Sequence, residues 1–569
     1  MTRSDDSTDD PATPAGRHIT RTEVAQALHN VTNGLSSPED RPGQVEMALA
    51  VASAINDERR LIVQAGTGTG KTLAYLIPAI LSGKRTILST ATKTLQDQLA
   101  MSDLPLLEAT LPQPFSWAVL KGRSNYVCMQ RVSEVTNNVQ LELDDMGTSS
   151  RREVEELARW ALTTSTGDIA DLDWQPSARV WQSVSVGSDE CPGAARCESG
   201  SGCFAEAARR KAAMADIIVV NTHLYGMNVA AGGAILPEHD VLIFDEAHQL
   251  EDTLTATVGV ALSATRITSL ASAVRRVVAE ETLTKRLHDL ADSLTAVLAP
   301  NVETRLGVPL DSGIGDLLAE IRLVVNDCLD ALRAVPTDVE SVKQKTLRAQ
   351  TMAGRLAEQI DGALRTDATR VPYVTGTKER PELVVAPLDV GPTLAEQAWP
   401  GRAVILTSAT IPLSMPTRVG LDSEVEMIDV GSPFNYSEQA LLYCAAHLPE
   451  PNSDRDDVVH AEMADLIAAA GGRTLALFTS RRALESATDA MRSRLPYRIL
   501  AQDENQRSTL LREFALDESS CLFATAGFFE GVDIPGRALS LVIIDRIRSE
   551  EHTSELQSRQ YLVCRLLLE

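Results

Sequence analysis

Eight consecutive residues, Ala65 to Thr72 (AGTGTGKT), combine glycines, hydroxyls and one lysine in a spacing that suits a polyphosphate. Gly66, Gly68 and Gly70 let successive backbone N–H groups turn inward on a phosphate chain, at the positive end of the helix that follows. Thr67 and Thr69 complete the ATP-binding stretch, Lys71 is expected to reach the β- and γ-phosphates, and Thr72 to hold Mg²⁺. Ala65 stands where the strict pattern has glycine. A second string, Asp245-Glu246-Ala247-His248, follows a strand-like run. There Asp245 would complete the Mg²⁺ shell, Glu246 would orient or deprotonate the attacking water, and His248 would link the site to a moving second domain. Acidic residues after a strand often only cap a helix. Paired with the phosphate loop they describe ATP hydrolysis.

Four cysteines lie between these strings: Cys128, then Cys191, Cys197 and Cys203 in a C-x5-C-x5-C loop. Four thiolates hold either a [4Fe–4S] cluster or tetrahedral Zn²⁺. The tight C-x2-C knuckles that zinc favours are absent, and unligated thiols are a third reading. Loop, carboxylates and cysteines together point to a nucleic-acid motor. Arg41-Pro42-Gly43-Gln44 precedes a helix, and a glutamine amide can both donate to and accept from an adenine edge. Thr407, Ser408 and Thr410 end another strand with hydroxyls able to couple nucleotide state to nucleic-acid grip, or simply to form a turn.

These residues need a parallel sheet to position them, and the pattern supplies one. Strand-like runs at 61–65, Thr86–Ser89, Ala215–Val220 and Val241–Phe244 flank an apolar helix from about Lys71 to Leu81. An insertion of about a hundred residues, carrying the cysteines, separates the second and third runs. Leu283, Leu287, Leu290, Leu294 and Leu298, and later Leu318, Ile321, Val325, Cys328 and Leu332, repeat at helical spacing and read as core. A link from Arg370 to Pro381 returns the chain to strands at Leu383–Val385 and Ala403–Leu406. A second α/β unit begins near Met415, with strands at Thr474–Phe478, Cys521–Ala524 and Leu541–Ile544.

The fold class is therefore α/β. Residues 17–104, 212–255 and 383–414 form the first domain, with a cysteine-bearing insertion at 105–211 and a helical one at 256–382. Residues 415–547 form the second domain.

With 53 Lys and Arg against 78 Asp and Glu, the net charge of −25 excludes the wholesale basic footprint of a small DNA-binding domain. Lys121, Arg123, Arg131, Arg151, Arg152, Arg209, Arg210 and Lys211 gather around the cysteines, as solvated faces or as a phosphate-tracking path. No apolar run approaches the roughly 18 residues of a membrane span. The acidic start, residues 1–16, lacks a signal-peptide core and reads as a disordered tail on a cytoplasmic protein. Without an export signal, the eight cysteines read as thiols or ligands rather than disulfides. Cys328, Cys444, Cys521 and Cys564 are scattered.

From about residue 20 to 547 the chain resembles the iron–sulfur superfamily 2 DNA helicases of the DinG/XPD type. The resemblance runs through RPGQ, AGTGTGKT, STATKTLQDQL, KGRSNYVC, ADIIVVNTHL, DEAH, LTSATI, SPFNYSEQALLY, LFTSRRAL and ATAGFFEGVDIPG. It implies two RecA-like domains, the first carrying an iron–sulfur insertion and a helical arch. It further implies a [4Fe–4S] cluster on the four cysteines, with ATP and Mg²⁺ as the other cofactors, and Arg41 and Gln44 at the nucleotide. Thr90, Thr92, Thr94 and Gln98 would meet the DNA backbone, while Glu530, Gly531 and Asp533 would couple the second domain to ATP. Phe529 replaces the tryptophan usual in the family.

The implied activity is 5′-to-3′ travel of a monomer on single-stranded DNA, opening forked, structured or RNA-paired DNA in repair or replication support. An RNA-directed helicase and a DNA-binding redox sensor with weak ATPase are the alternative readings.

The chain departs from the family after LVIIDRI, where a Pro-rich turn and an arginine-bearing QxxGRxIR-type segment are expected. Arg548–Ser558 instead reads as an in-frame translation of a sequencing-library adapter, so 548–569 is expected to be foreign to the native chain. Loss of an arginine finger costs about 10³ to 10⁵ in turnover in phosphate-loop enzymes. This polypeptide is accordingly expected to hydrolyse ATP weakly.

Overall fold

The computed structural model describes residues 16–35, 38–39, 41–137, 148–421, 425–448, 455–502, 504–505, 507–525, 528, 534, 536–546 and 562–566. Most of the expected acidic tail and residues 547–561 lie outside them. Contacts divide the chain into two units, Met1–Gly431 and Ser432–Glu569.

In the first unit the chain lays down β1 (Arg60–Gln64), β2 (Thr86–Thr90), β3 (Trp117–Val119), β4 (Ile217–Asn221) and β5 (Val241–Asp245). A small antiparallel sheet follows, from β6 (Val260–Ser263), β7 (Thr304–Arg305), β8 (Arg370–Thr377) and β9 (Arg380–Pro387). β10 (Ala403–Ser408) and β11 (Val425–Asp429) complete the main sheet, whose order is β11-β1-β10-β5-β2-β4-β3, parallel throughout. Strands such as VLIFD and AVILTS are buried along their whole length, as a sheet covered on both faces requires.

Both insertions build cores of their own. In the cysteine-bearing insertion Val127, Val132, Leu157, Val180 and Val184 pack together, and the Trp181 indole donates to Ser124 O at 2.8 Å. In the helical one, both predicted stripes are buried, on helices Glu281–Leu298 and Ser312–Arg333.

Several boundaries differ from the sequence reading. Trp117–Val119, placed in the first insertion, is an edge strand of the main sheet; three residues are too few to show a period. The link Arg370–Pro381 contains β8, and β9 pairs with β8 and β6 instead of returning to the main sheet. Polar, exposed residues at the hairpin tip hide the pairing from a hydrophobicity pattern. β11 pairs with β1, so the first unit extends to Gly431 rather than ending near 414. Its burial is only partial, and its pattern reads as loop.

The second unit holds β12 (Ala440–Cys444), β13 (Thr474–Phe478), β14 (Ile499–Ala501), β15 (Cys521–Thr525), β16 (Leu541–Ile544) and β17 (Leu562–Leu566), ordered β12-β17-β16-β13-β15-β14. β13 to β16 are mutually parallel, and β17 runs antiparallel to both neighbours.

Because the helical insertion has a separate core, damage there should stay local. Leu287→Ala is expected to cost about 2–5 kcal/mol of that core's stability. Hydrogen exchange should quicken across 281–298 while amides of 71–82 stay protected; equal acceleration in both would contradict the separate core.

Candidate nucleotide site and cysteine cavity

β1 ends at Gln64, and the chain turns through the phosphate loop into helix Lys71–Ser82. Gly68 and Gly70 sit at φ +82° and +80°, a left-handed backbone that glycine adopts without a Cβ clash. At Gly70 the constraint is doubled. A Cβ there would stand 2.1 Å from the Gln44 amide nitrogen, which donates to Gly70 O at 3.0 Å. Gln44 is thus brought to the loop, on helix Pro42–Asn56 with Pro42 at its first turn, while Arg41 beside it pairs with Glu39 at 2.6 Å.

β5 delivers Asp245 and Glu246 to the same end of the sheet, where open parallel sheets gather their ligands. Lys71 Nζ lies 3.3 Å from Glu246 Oε1, and the Tyr75 hydroxyl donates to Asp245 Oδ2 at 2.9 Å. Glu246 takes a left-handed backbone, φ 55° and ψ 47°, a strained choice for a non-glycine residue that recurs at functional positions. Asp245 is pushed up to about 6, by burial first and by the Glu246 charge second; Lys71, Tyr75 and the Glu246 N–H oppose them. Burial also resists ionisation of Glu246, yet its hydrogen bond with His248 and the Lys71 charge hold it below the usual carboxylate range.

His248 Nδ1 lies 2.8 Å from Ser408 Oγ, and that hydroxyl donates to Glu246 Oε2 at 3.3 Å. The histidine expected to face a second domain therefore meets the end of β10 in its own unit. Glu530, Gly531 and Asp533 lie outside the described residues.

The sequence reading missed three groups around this site. Tyr75 looked like one more apolar-helix residue. Asp103, also raised to about 6 by burial and then by the Asp245 charge, ends a π-helical turn, Leu99–Asp103, that no pattern announces. Gln64 donates to Asp429 Oδ2 at 2.8 Å and accepts from Ile411 N–H at 3.1 Å, tying β11 and the segment after β10 to the loop's root.

Of the expected DNA-contacting residues, Gln98 is exposed and Thr92 caps helix Lys93–Gln98, accepting from Leu95 N–H at 3.3 Å. Thr90 is fully buried and donates to Thr92 O at 3.2 Å, so its hydroxyl is spent inside the turn. The Thr94 side chain lies outside the described residues.

Cys128, Cys191, Cys197 and Cys203 line one cavity with Arg123, Tyr126 and Val186. Cys128 immediately precedes helix Met129–Asn137. Burial pushes its thiol up to about 11, against hydrogen bonds from the Arg131 and Gln130 N–H groups; Cys197 and Cys191 add to the rise. Among the described residues no three His, Cys, Asp or Glu gather as the ligand set of a single ion. Lys121, Arg123 and Arg131, candidates for a phosphate path, are engaged inside the unit by Asp97 and Asp168, by Glu206, and by Glu134. Lys211 lies over the Trp117 ring, 5.6 Å from its centre. No described helix is long and apolar enough to cross a membrane.

Two family models match the chain: DEAD/DEAH box helicase over residues 45–125 and helicase C-terminal domain over residues 463–562. The ATP-dependent helicase DinG of Mycobacterium tuberculosis (strain H37Rv) is 38% identical over 560 residues, covering 89% of this chain and 81% of that protein. The ATP-dependent DNA helicase YoaA of Escherichia coli (strain K12) is 33% identical over 562 residues, covering 92% and 85%. A solved XPD helicase covers 89% of this chain and is itself 84% covered, at 15% identity and a TM-score of 0.48.

The phosphate loop and its paired carboxylates have the make-up of an ATP-hydrolysis site, and the relatives and family models show an ATP-dependent DNA helicase of the DEAD/DEAH class. Within that class the chain belongs to the DinG family, of the DinG/XPD type.

Tyr75→Phe removes a hydrogen bond to the ionised form of Asp245 and should raise that carboxyl further, by about one pH unit. The acid limb of the pH–rate profile of ATP hydrolysis should move up accordingly; an unmoved limb would show that Asp245 does not set it.

Proposed function

We propose that the nucleotide site works through Lys71, Thr72, Asp245 and Glu246 on an ATP held by Arg41, Gln44 and the 65–70 loop. Lys71 would bind the β- and γ-phosphates. Glu246, kept ionised by Lys71 and His248, would orient the attacking water and accept its proton. Mg²⁺, held by Thr72 and Asp245, would neutralise charge on the phosphates. The observation that carries this reading is the Lys71–Glu246 pair at 3.3 Å beside the buried Asp245 carboxylate at the sheet's carboxyl end.

The DNA-facing part of the proposal assigns backbone contacts to Thr92, Thr94 and Gln98, with Thr90 supporting the turn from within. Cys128, Cys191, Cys197 and Cys203 would hold a [4Fe–4S] cluster, which would tie the insertion's loops together as metal binding does in small units. Four thiols lining a shared cavity supply the four-thiolate donor set that a multi-iron group takes. The proposed role is 5′-to-3′ translocation by a monomer in the cytoplasm, opening forked, structured or RNA-paired DNA during repair or replication support.

Two tests address the two halves. Lys71→Ala should abolish ATP-driven separation of DNA forks, by at least about 10²-fold, while single-stranded DNA binding persists. Preferential opening of RNA forks by the unmodified chain would instead favour an RNA-directed motor. Cys197→Ser, purified anaerobically, should lose iron and the broad visible absorbance of a cluster. Bound zinc with no iron in the unmodified protein would contradict the cluster.

A further inference from the structure

Lys121 lies between β3 and Cys128 with its side chain 8% exposed, and its ammonium serves two carboxylates, Asp97 Oδ1 at 3.0 Å and Asp168 Oδ2 at 2.9 Å. These belong to different parts of the unit. Asp97 is on helix Lys93–Gln98, between Thr92 and the exposed Gln98; Asp168 is in the cysteine-bearing insertion.

On the insertion side the connection is stiff. Asp168 forms a β-bridge with Tyr126, Val127 N–H donates to Gly167 O at 2.8 Å, and the Tyr126 hydroxyl accepts from Lys121 N–H at 3.2 Å. Cys128 is the next residue, and its N–H donates to Val184 O at 2.8 Å.

On the helix side the hold is weaker. Gln96 is fully buried, yet neither atom of its amide has a hydrogen-bond partner among the described residues. A buried amide left without partners is costly. The helix then passes straight into the π-helical turn Leu99–Asp103, a bulge common at functional positions. That turn ends at Asp103, which feels the charge of Asp245 in the nucleotide site. The helix thus runs from the Lys121–Asp97 pair into a turn that ends within reach of the nucleotide site's charge.

We infer that Lys121 is a positioning residue: through Asp97 and Asp168 it sets the pose of helix Lys93–Gln98 against the cysteine-bearing insertion, and so sets the grip on single-stranded DNA. This rests on the reading of that helix as a DNA-contacting segment.

Asp97→Ala tests it most cleanly, because it cuts the helix end and leaves the Lys121–Asp168 pair intact. Charge alone predicts that removing a carboxylate beside DNA tightens binding. The strut predicts the opposite sign. In the full chain, the dissociation constant for a labelled single-stranded DNA should rise about 10-fold, with iron per chain and melting temperature unchanged. Lys121→Arg, whose fork can serve both carboxylates, should bind DNA nearly as the unmodified chain does.

Unchanged or tighter binding by Asp97→Ala overturns the inference, as does weakening accompanied by an equal loss of iron or of folded protein. Gln98→Ala separates the inference from the reading beneath it. If Gln98→Ala changes nothing while Asp97→Ala weakens binding, the strut stands, the contact assigned to Gln98 is withdrawn, and Thr92 and Thr94 carry the grip of the segment. If Gln98→Ala weakens binding and Asp97→Ala does not, the contacts stand and the strut falls.

Discussion

The constraint on which the first unit depends is a carboxylate that must be charged in a place that penalises charge. Asp245 is buried at the carboxyl end of β5, beside a second carboxylate, and burial and Glu246 together push it up to about 6. An isolated ionised carboxylate in such surroundings would simply take up a proton. Lys71, the Tyr75 hydroxyl and the Glu246 backbone N–H act against that outcome. Each comes from a different piece of local structure: the start of the loop helix, its second turn, and a left-handed residue. The loop helix must therefore sit against β5 in one register. Gln44 bonded across Gly70, and Gln64 bonded to β11 and to Ile411, brace the loop's surroundings.

Much of this arrangement was legible in the sequence, because it rests on features that local pattern encodes. Glycines at fixed offsets, a β-branched strand ending in acid, and leucines at helical spacing each announce an element without knowledge of its neighbours. The phosphate loop joins a strand to a helix, the Asp245–His248 string follows a strand, the four cysteines line one cavity and the helical stripes are buried. What escaped was long-range pairing. β3 is three residues long, β8 and β9 join through exposed polar residues at their hairpin tip, and β11 is half-exposed, so the pairings carry no clear local signal. Tyr75 and Asp103 escaped for a related reason. Their importance comes from burial beside Asp245, more than a hundred residues away, and neither carries a local signal. At Thr90, which the family resemblance groups with DNA-contacting residues, the turn uses the hydroxyl internally.

The cysteine-bearing insertion is bound to its surroundings by charge. Arg123, Arg131 and Lys121, which on composition alone suggested a path for phosphates, pair instead with Glu206, Glu134, Asp97 and Asp168. Glu134 also pairs with Arg348 of the helical insertion, and Gln344 donates to Arg196 O, one residue before Cys197, at 3.2 Å. Partly buried ion pairs of this sort fix geometry more than they add stability. They hold the loops of the cysteine cavity against the helix that precedes the π-turn on one side and against the helical insertion on the other.

The central claim is that this knot of charge is a nucleotide site answering to DNA. The most direct test is the rate of Mg²⁺-dependent ATP hydrolysis, measured on anaerobically purified chain with and without single-stranded DNA. The account predicts a rate, weak or strong, that rises when DNA is added. The same rate with and without DNA, at saturating ATP, would contradict it.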